Sequence, residues 1–294
     1  MQERALITSA SNKFFPSLIN LLGSIKTNYP KAPKIYVYDL GLFWSFRKEL
    51  ESIEGVEILE MPKFVTFWRS CYTWKTYIFT HPLARLNFYL DAGCQVLKSL
   101  DGIFEQIEKY GYFFIEQGVS LSRIVPKDYI EKLGLDEKFK SAESIHAGEL
   151  GFKADSAISE ALEQSFEWAK QGLALGFSQK DAWRNKGKDK TNIVRNCEIF
   201  RHDMTLLNIA VRKKFMANFT IHSSKIFAGG YKEDPKQVIW HLRLSYKRLD
   251  YFSHKFLHSN FDPIAVFNRL VVVFMVGLKN LNLFIKSLLG IVAG

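Results

Sequence analysis

The sequence predicts an α/β fold, a mixed sheet with flanking helices, followed by an apolar and basic helical tail. Three observations predict it. The first sixty residues alternate short β-rich apolar runs with segments of helical period, in the order β-α-β-α-β. Such alternation argues for parallel strands joined by crossover helices. The 294 residues are 47% hydrophobic and 24% charged, which suits a full core and argues against global disorder. Beyond about residue 250 the alternation gives way to a basic flank and then to two apolar runs, Leu270 to Leu278 and Leu281 to Ala293. The expected division is therefore 1–250 for the α/β domain and 251–294 for the tail.

In chain order, Leu6 to Ser9 reads as a first core strand that stops in a polar turn, with Ser11 or Asn12 as helix N-cap. Leu18, Leu21, Leu22 and Ile25 then recur at helical spacing, and Pro30 and Pro33 end that helix. The spacing predicts a strand over 34–38, a helix over 43–53 and a strand over 56–60. A helix over 74–84, interrupted near Pro82, leads into a strand over 87–90 that closes at Asp91. A short return strand at Val96 and Leu97, a helix over 100–110 and a strand over 111–115 follow. Residues 116–144 show no single period. A strand over 144–152 contains Gly148 and Gly151, and 155–175 places Ile158, Ala161, Leu162, Phe166 and Ala169 on one helical face. After the basic loop 178–196 come a helix over 203–213 and a strand over 237–241.

The net charge of +10 favours polyanionic surroundings such as anionic lipid, phosphorylated substrates or nucleic acid. Nucleic acid is disfavoured, because the basic residues are not interleaved with aromatics as stacking platforms require. The three cysteines, Cys71, Cys94 and Cys197, form no CxxC pair, so they read as buried reduced thiols rather than as a zinc or disulfide framework. At the N-terminus, Glu3 and Arg4 lead straight into the first strand with no apolar leader, which predicts a cytoplasmic globular part. In the tail, Lys279 and Lys286 break a run shorter than the roughly 20 apolar residues a membrane span needs. An interfacial helix beside the basic stretch from Lys247 to Arg269 is expected to hold the chain on the anionic inner face of a membrane. A true span and a soluble packing helix are the competing readings.

Four constellations carry candidate chemistry. Asp91, in Tyr89 to Gly93 (YLDAG), ends a strand where α/β folds bind ligands, and its carboxylate can hold a divalent cation against phosphate or simply cap a turn. His241 ends a late strand with Lys247 six residues on, a metal-ligand type followed by a cation for a diphosphate. Asp203 opens a helix after His202, as site residue or N-cap. Lys75 precedes Asp91 by sixteen residues, at the helix that feeds its strand, and a surface lysine is the plain alternative. No GxSxG, Walker, HExxH or GxGxxG pattern occurs.

Taken in order, these segments resemble the GT-A-fold glycosyltransferases, especially the glycogenin and lipopolysaccharide galactosyltransferase-like family and related LDAG-containing sugar-transferase-like domains. Ile7 to Asn12 (ITSASN) resembles that family's first strand and nucleotide-contacting turn. Ile35 to Gly41 (IYVYDLG) resembles its second strand, and Tyr89 to Val96 with Ser99 to Asp101 its DxD strand and successor. His146 to Gly148 (HAG) is similar to its sugar-site strand, Asp203 to Asn208 (DMTLLN) to a helix start, and His241 with Lys247 to its late metal and diphosphate motif. The likeness covers about residues 4 to 250 and implies a GT-A-like, Rossmann-type mixed sheet.

It also implies a UDP-sugar donor, Mn²⁺ or Mg²⁺ on Asp91 and His241, and nucleotide contacts at Thr8, Ser9, Ala10, Ser11, Asn12 and Asp39. Lys75, Lys247 and Gly148 would meet the donor, while His146 and Asp203 would serve the sugar and acceptor as the catalytic pair. The same likeness suggests retention of anomeric configuration, and the basic tail would suit a glycan or lipid-linked acceptor, a membrane lipid or nascent surface glycan. The sequence departs from the family at Gly93, Leu244, His146 and Ser11. Gly93 replaces the second DxD acid, which leaves open a nucleotide-sugar- or glycan-binding module without turnover. A peripheral membrane scaffold acting through the tail is a further alternative.

Overall fold

The computed structural model describes residues 2–62, 72–171, 173, 197–198, 200–215, 220–222, 237–241 and 262–288. Its central sheet has six strands in the order β3-β2-β1-β4-β7-β6. They are β1 (Gln2–Ala10), β2 (Ile35–Asp39), β3 (Val56–Glu60), β4 (Ala84–Leu90), β6 (Tyr112–Ser120) and β7 (Glu143–Lys153). The strands β5 (Cys94–Val96) and β8 (Ile239–His241) form a separate antiparallel pair.

The β-α-β-α-β opening forms the parallel half. Helices α1 (Phe15–Asn28) and α2 (Trp44–Glu51) connect β1 to β2 and β2 to β3. Central β1 pairs in parallel with β2 and with β4, so that Ile7 lies between Tyr36 and Tyr89. The sheet then reverses, because β7 is antiparallel to both β4 and β6. The result is a mixed sheet flanked by helices, as expected.

Strand side chains alternate between faces, and the sheet divides the core accordingly. Leu6, Leu86, Phe88 and Phe113 pack with α1 and with α4 (Asp101–Tyr110) on one side. Ile7, Tyr89, Phe114, Leu150 and Phe152 pack on the other. That second side is covered by α3 (Trp74–Thr80), α8 (Ala157–Lys170) and α9 (Asp203–Phe215). The stretch without a clear period resolves into the end of β6 and three short helices, α5 (Leu121–Ile124), α6 (Lys127–Lys132) and α7 (Glu137–Ser141). Helix α3 stops at Thr80, short of the predicted 84, since Pro82 disfavours helical backbone at the residue before it. β4 therefore starts earlier than predicted.

In the tail, α10 (Pro263–Leu288) is a 26-residue helix seated on α2. Asn268 donates to Ser45 O and to Glu49 Oε2, both at 2.8 Å, and Arg269 pairs with Glu49 Oε1 at 2.7 Å. Glu49 is fully buried, so this charged clamp fixes the rotation of α10. Phe267, Leu270, Phe274, Leu278 and Leu281 consequently face outward. Among the described residues no helix is long and apolar enough to cross a membrane. The basic loop 178–196, Cys71 and Lys247 lie outside the described residues.

Candidate active site

The site lies at the carboxyl end of β4. Asp91 follows the last residue of that strand, its N–H donating to Gly148 O at 2.7 Å while its own carbonyl accepts from Cys94 N at 2.9 Å. Lys75 reaches it from α3. The ammonium lies 2.8 Å from Asp91 Oδ1 and 3.0 Å from Oδ2, and donates to Ala147 O at 3.2 Å. The Lys75 side chain is only 8% exposed, which sets aside the surface-lysine reading. Burial opposes its charge, but Asp91 and then Asp203 outweigh it and raise its pKa above the ordinary lysine value. The ammonium is a permanent cation inside the site.

Tyr89 supports the same carboxylate. Its hydroxyl donates to Asp91 Oδ1 at 2.8 Å and lies 3.1 Å from Ser9 Oγ, linking the end of β1 to Asp91. Burial and then the Asp91 charge push the Tyr89 pKa well up, so the hydroxyl keeps its proton.

A bulge in β7 supplies the rest. Phe114 of β6 is opposite Leu150, whereas Glu116 is opposite Ile145. Residues 146–149 of β7 thus face one residue of β6. Bulges of this kind re-aim side chains beside functional sites. Here the bulge lets His146 and Glu149, which a regular strand would send to opposite faces, meet through Nδ1 and Oε2. Gly148 is needed within it. A Cβ there would stand 2.7 Å from His146 Cε1 and 2.9 Å from Asp91 Oδ2.

Glu149 is fully buried. Its second oxygen, Oε1, meets His241 Nδ1 and accepts from Cys94 Sγ at 3.0 Å. Burial opposes the carboxylate charge, but His146 and His241 outweigh it and hold its pKa well below the usual range. Burial, and then Glu149, push the Cys94 thiol well up. The two imidazoles sit 5.0 Å apart, edge to face. Asp203 begins α9, 5% exposed, after His202 in a left-handed backbone conformation (φ 50°). Asn208 ties α9 to the site strand through Ile145 N and O, at 2.8 and 3.0 Å.

The other expected nucleotide contacts lie at the neighbouring ends of β1 and β2. Thr8 and Ala10 are buried within β1, whereas Ser11 and Asn12 are half-buried in the turn beyond it. Asn12 accepts from Phe43 N, and Asp39 accepts from Gly41 N and Leu42 N at 2.6 and 2.7 Å. Arg47 lies 3.3 Å from Asp39. These two side chains brace a turn between strand ends, while Ser9, Lys75, Asp91, His146, Gly148 and His241 border a common polar cluster. Sequence reasoning missed Glu149 and the role of Cys94. The glycines at 148 and 151 were the available signal, since an isolated glycine in a strand marks a bulge or close approach.

The expected Mn²⁺ or Mg²⁺ shared by Asp91 and His241 does not fit this arrangement. Lys75 and Tyr89 engage both Asp91 oxygens, and His241 faces Glu149 and Cys94. Among the described residues, the donors that gather within 4.8 Å of one another belong to Cys94, Glu149 and His241.

Comparison of the fold with solved structures finds glycosyltransferases, the class that the sequence motifs resemble. The galactosyltransferase LgtC, in complex with donor and acceptor sugar analogues, is 14% identical over 62% of this chain and 69% of its own, at a TM-score of 0.42. An active-site mutant of LgtC is 12% identical over 88% of this chain and 98% of its own, at 0.49. The bifunctional glycosyltransferase WbbM is 11% identical over 77% of this chain and 40% of its own, also at 0.49. No family model matches the sequence, and no curated protein matches it.

Proposed function

We propose that the protein is a glycosyltransferase that moves a sugar from a nucleotide diphosphate sugar, with UDP as the nucleotide, to a hydroxyl of a glycan or lipid-linked acceptor. The observation that carries this reading is Lys75, a buried ammonium held on Asp91 at the carboxyl end of a parallel strand, where α/β sheets bind their ligands. In the transfer, the bond from the anomeric carbon to the diphosphate oxygen breaks and a bond to the acceptor oxygen forms. The acceptor hydroxyl gives up its proton, and negative charge develops on the departing diphosphate. A preorganised cation in a water-poor site stabilises that charge most. Lys75 supplies it, Asp91 and Tyr89 aim Lys75, and Lys247 is proposed as a second cation. Asp203 and His146 orient sugar and acceptor hydroxyls, with Gly148 giving the donor close access. The base and ribose are assigned to the strand-end turns at Thr8 to Asn12 and Asp39.

The outward apolar face of α10, beside the exposed Phe43 and Trp44, supports a peripheral seat on the inner face of a membrane. Sedimentation with anionic vesicles, lost in Phe274→Asp, is the expected result. A protein that stays in the supernatant would remove the membrane from the reading.

Calorimetry with a panel of UDP- and GDP-sugars tests the main proposal. One UDP-sugar is expected to bind wild type and to bind Lys75→Ala and Asp91→Ala at least tenfold more weakly, with turnover on an acceptor panel. Binding without turnover would favour the inactive binding module that Gly93 suggests. No nucleotide binding would sink both.

A further inference from the structure

We propose that Cys94, Glu149 and His241 form a binding site for a borderline-soft divalent ion of the zinc class. The three come from three strands. Cys94 and His241 are register partners on β5 and β8, and Glu149 sits on β7 opposite Leu90 of β4. Cross-strand partners present side chains at fixed, short separation, so two donors are aligned by the backbone itself. Cys94 and Glu149 are buried and the His241 side chain is 12% exposed.

The spacing suits a small tetrahedral ion. Zinc takes sulfur at about 2.3 Å and nitrogen or oxygen at about 2.0–2.2 Å, which puts neighbouring donors roughly 3.3–3.6 Å apart. Cys94 Sγ is 3.0 Å from Glu149 Oε1 and 3.8 Å from His241 Nδ1. The Cys94 separations need to change by about half an ångström and the short Glu149–His241 contact must open by about 1 Å, within the reach of small side-chain rotations, to bring all three to bonding distance. His146 on the other Glu149 oxygen provides the outer partner that orients a metal-bound carboxylate. Three protein donors leave one position open to water or to a ligand.

Donor chemistry selects the ion. A thiolate with an imidazole and one carboxylate prefers Zn²⁺ or Co²⁺, whereas Mg²⁺ and Mn²⁺ prefer all-oxygen surroundings. On binding, the Cys94 thiol proton passes to solvent and His241 offers Nδ1 as a lone pair, its hydrogen residing on Nε2. The residues lie 55 and 92 positions apart along the chain, so no motif spacing announces the site.

The test is titration of the full metal-free chain with Co²⁺, with no nucleotide or acceptor present, so that its outcome is independent of the transferase reading. One equivalent is expected to bind, with thiolate-to-cobalt charge-transfer absorption and the intense visible bands of a tetrahedral ion. Zn²⁺ should displace it, and Mn²⁺ or Mg²⁺ in tenfold excess should not. Cys94→Ser should abolish the charge-transfer band, Glu149→Gln should weaken binding at least tenfold, and a Cys71→Ser/Cys197→Ser variant should retain the band. Circular dichroism confirms that each variant is folded. Absence of Co²⁺ binding by the folded wild-type chain, binding without the thiolate band, persistence of the band in folded Cys94→Ser, or displacement by Mn²⁺ as readily as by Zn²⁺ would overturn the proposal.

Discussion

Removing Lys75 is the most informative perturbation of the site. Breaking a buried ion pair by deleting one partner costs about 3–5 kcal/mol, because the remaining charge is stranded. Asp91 here is 30% exposed and keeps the Tyr89 hydroxyl, so water and one hydrogen bond recover part of the loss. Lys75→Met should therefore cost about 2–3 kcal/mol. Asp91→Asn strands the ammonium instead, which retains Ala147 O at 3.2 Å, and a similar loss is expected. The double variant removes both charges and should lose little more than either single one, giving a coupling energy of about 1.5–3 kcal/mol. Urea unfolding of the four proteins, extrapolated linearly, measures it. Single losses within about 0.5 kcal/mol and no coupling would match a solvated surface pair. The preorganised cation on which the proposed chemistry depends would then not exist.

Other outcomes follow from particular contacts. Gly148→Ala should cost about 1–3 kcal/mol and weaken nucleotide-sugar binding, since its Cβ would press on His146 and Asp91. Unfolding and calorimetry together check this, and an unchanged protein would mean that the bulge relaxes freely. Tyr29 has its pKa pushed up to about 12, first by burial and then by its hydrogen bond to Asp101. Above its ordinary value of 10.0 the unfolded chain loses this proton while the folded chain keeps it, so stability should fall as pH rises toward about 12. Tyr29→Phe should flatten that alkaline limb, read by unfolding curves across the range. Glu49→Ala should remove one partner each from Arg269 and Asn268, loosening α10 from α2 at a cost of about 3 kcal/mol. Hydrogen exchange over residues 263–288 should quicken, and unchanged protection would show that apolar packing alone holds the helix.

Local pattern made much of the fold legible. Helical and strand periods are properties of neighbouring residues, so α1, α2, α4, α9, β2 and β3 follow from the sequence almost to their ends, whereas β1 begins four residues before the expected Leu6. Asp91, Asp203 and His241 could be named from their places at strand ends and a helix start, where α/β chains carry chemistry, whereas His146 and Gly148, inside β7, were named only through the family resemblance. What each residue touches was decided by pairing at long range. Lys75 reads as a surface lysine until α3 packs it beneath Asp91. Glu149 looks like one more strand residue until the β6–β7 register slips and turns it toward two histidines. Cys94 and His241 are 147 positions apart and become neighbours only when β5 pairs with β8. The apolar tail was evident from composition, but which of its faces is outward depends on a clamp between Glu49, Asn268 and Arg269. Periodicity determines which elements form, whereas burial and strand register determine which charges meet.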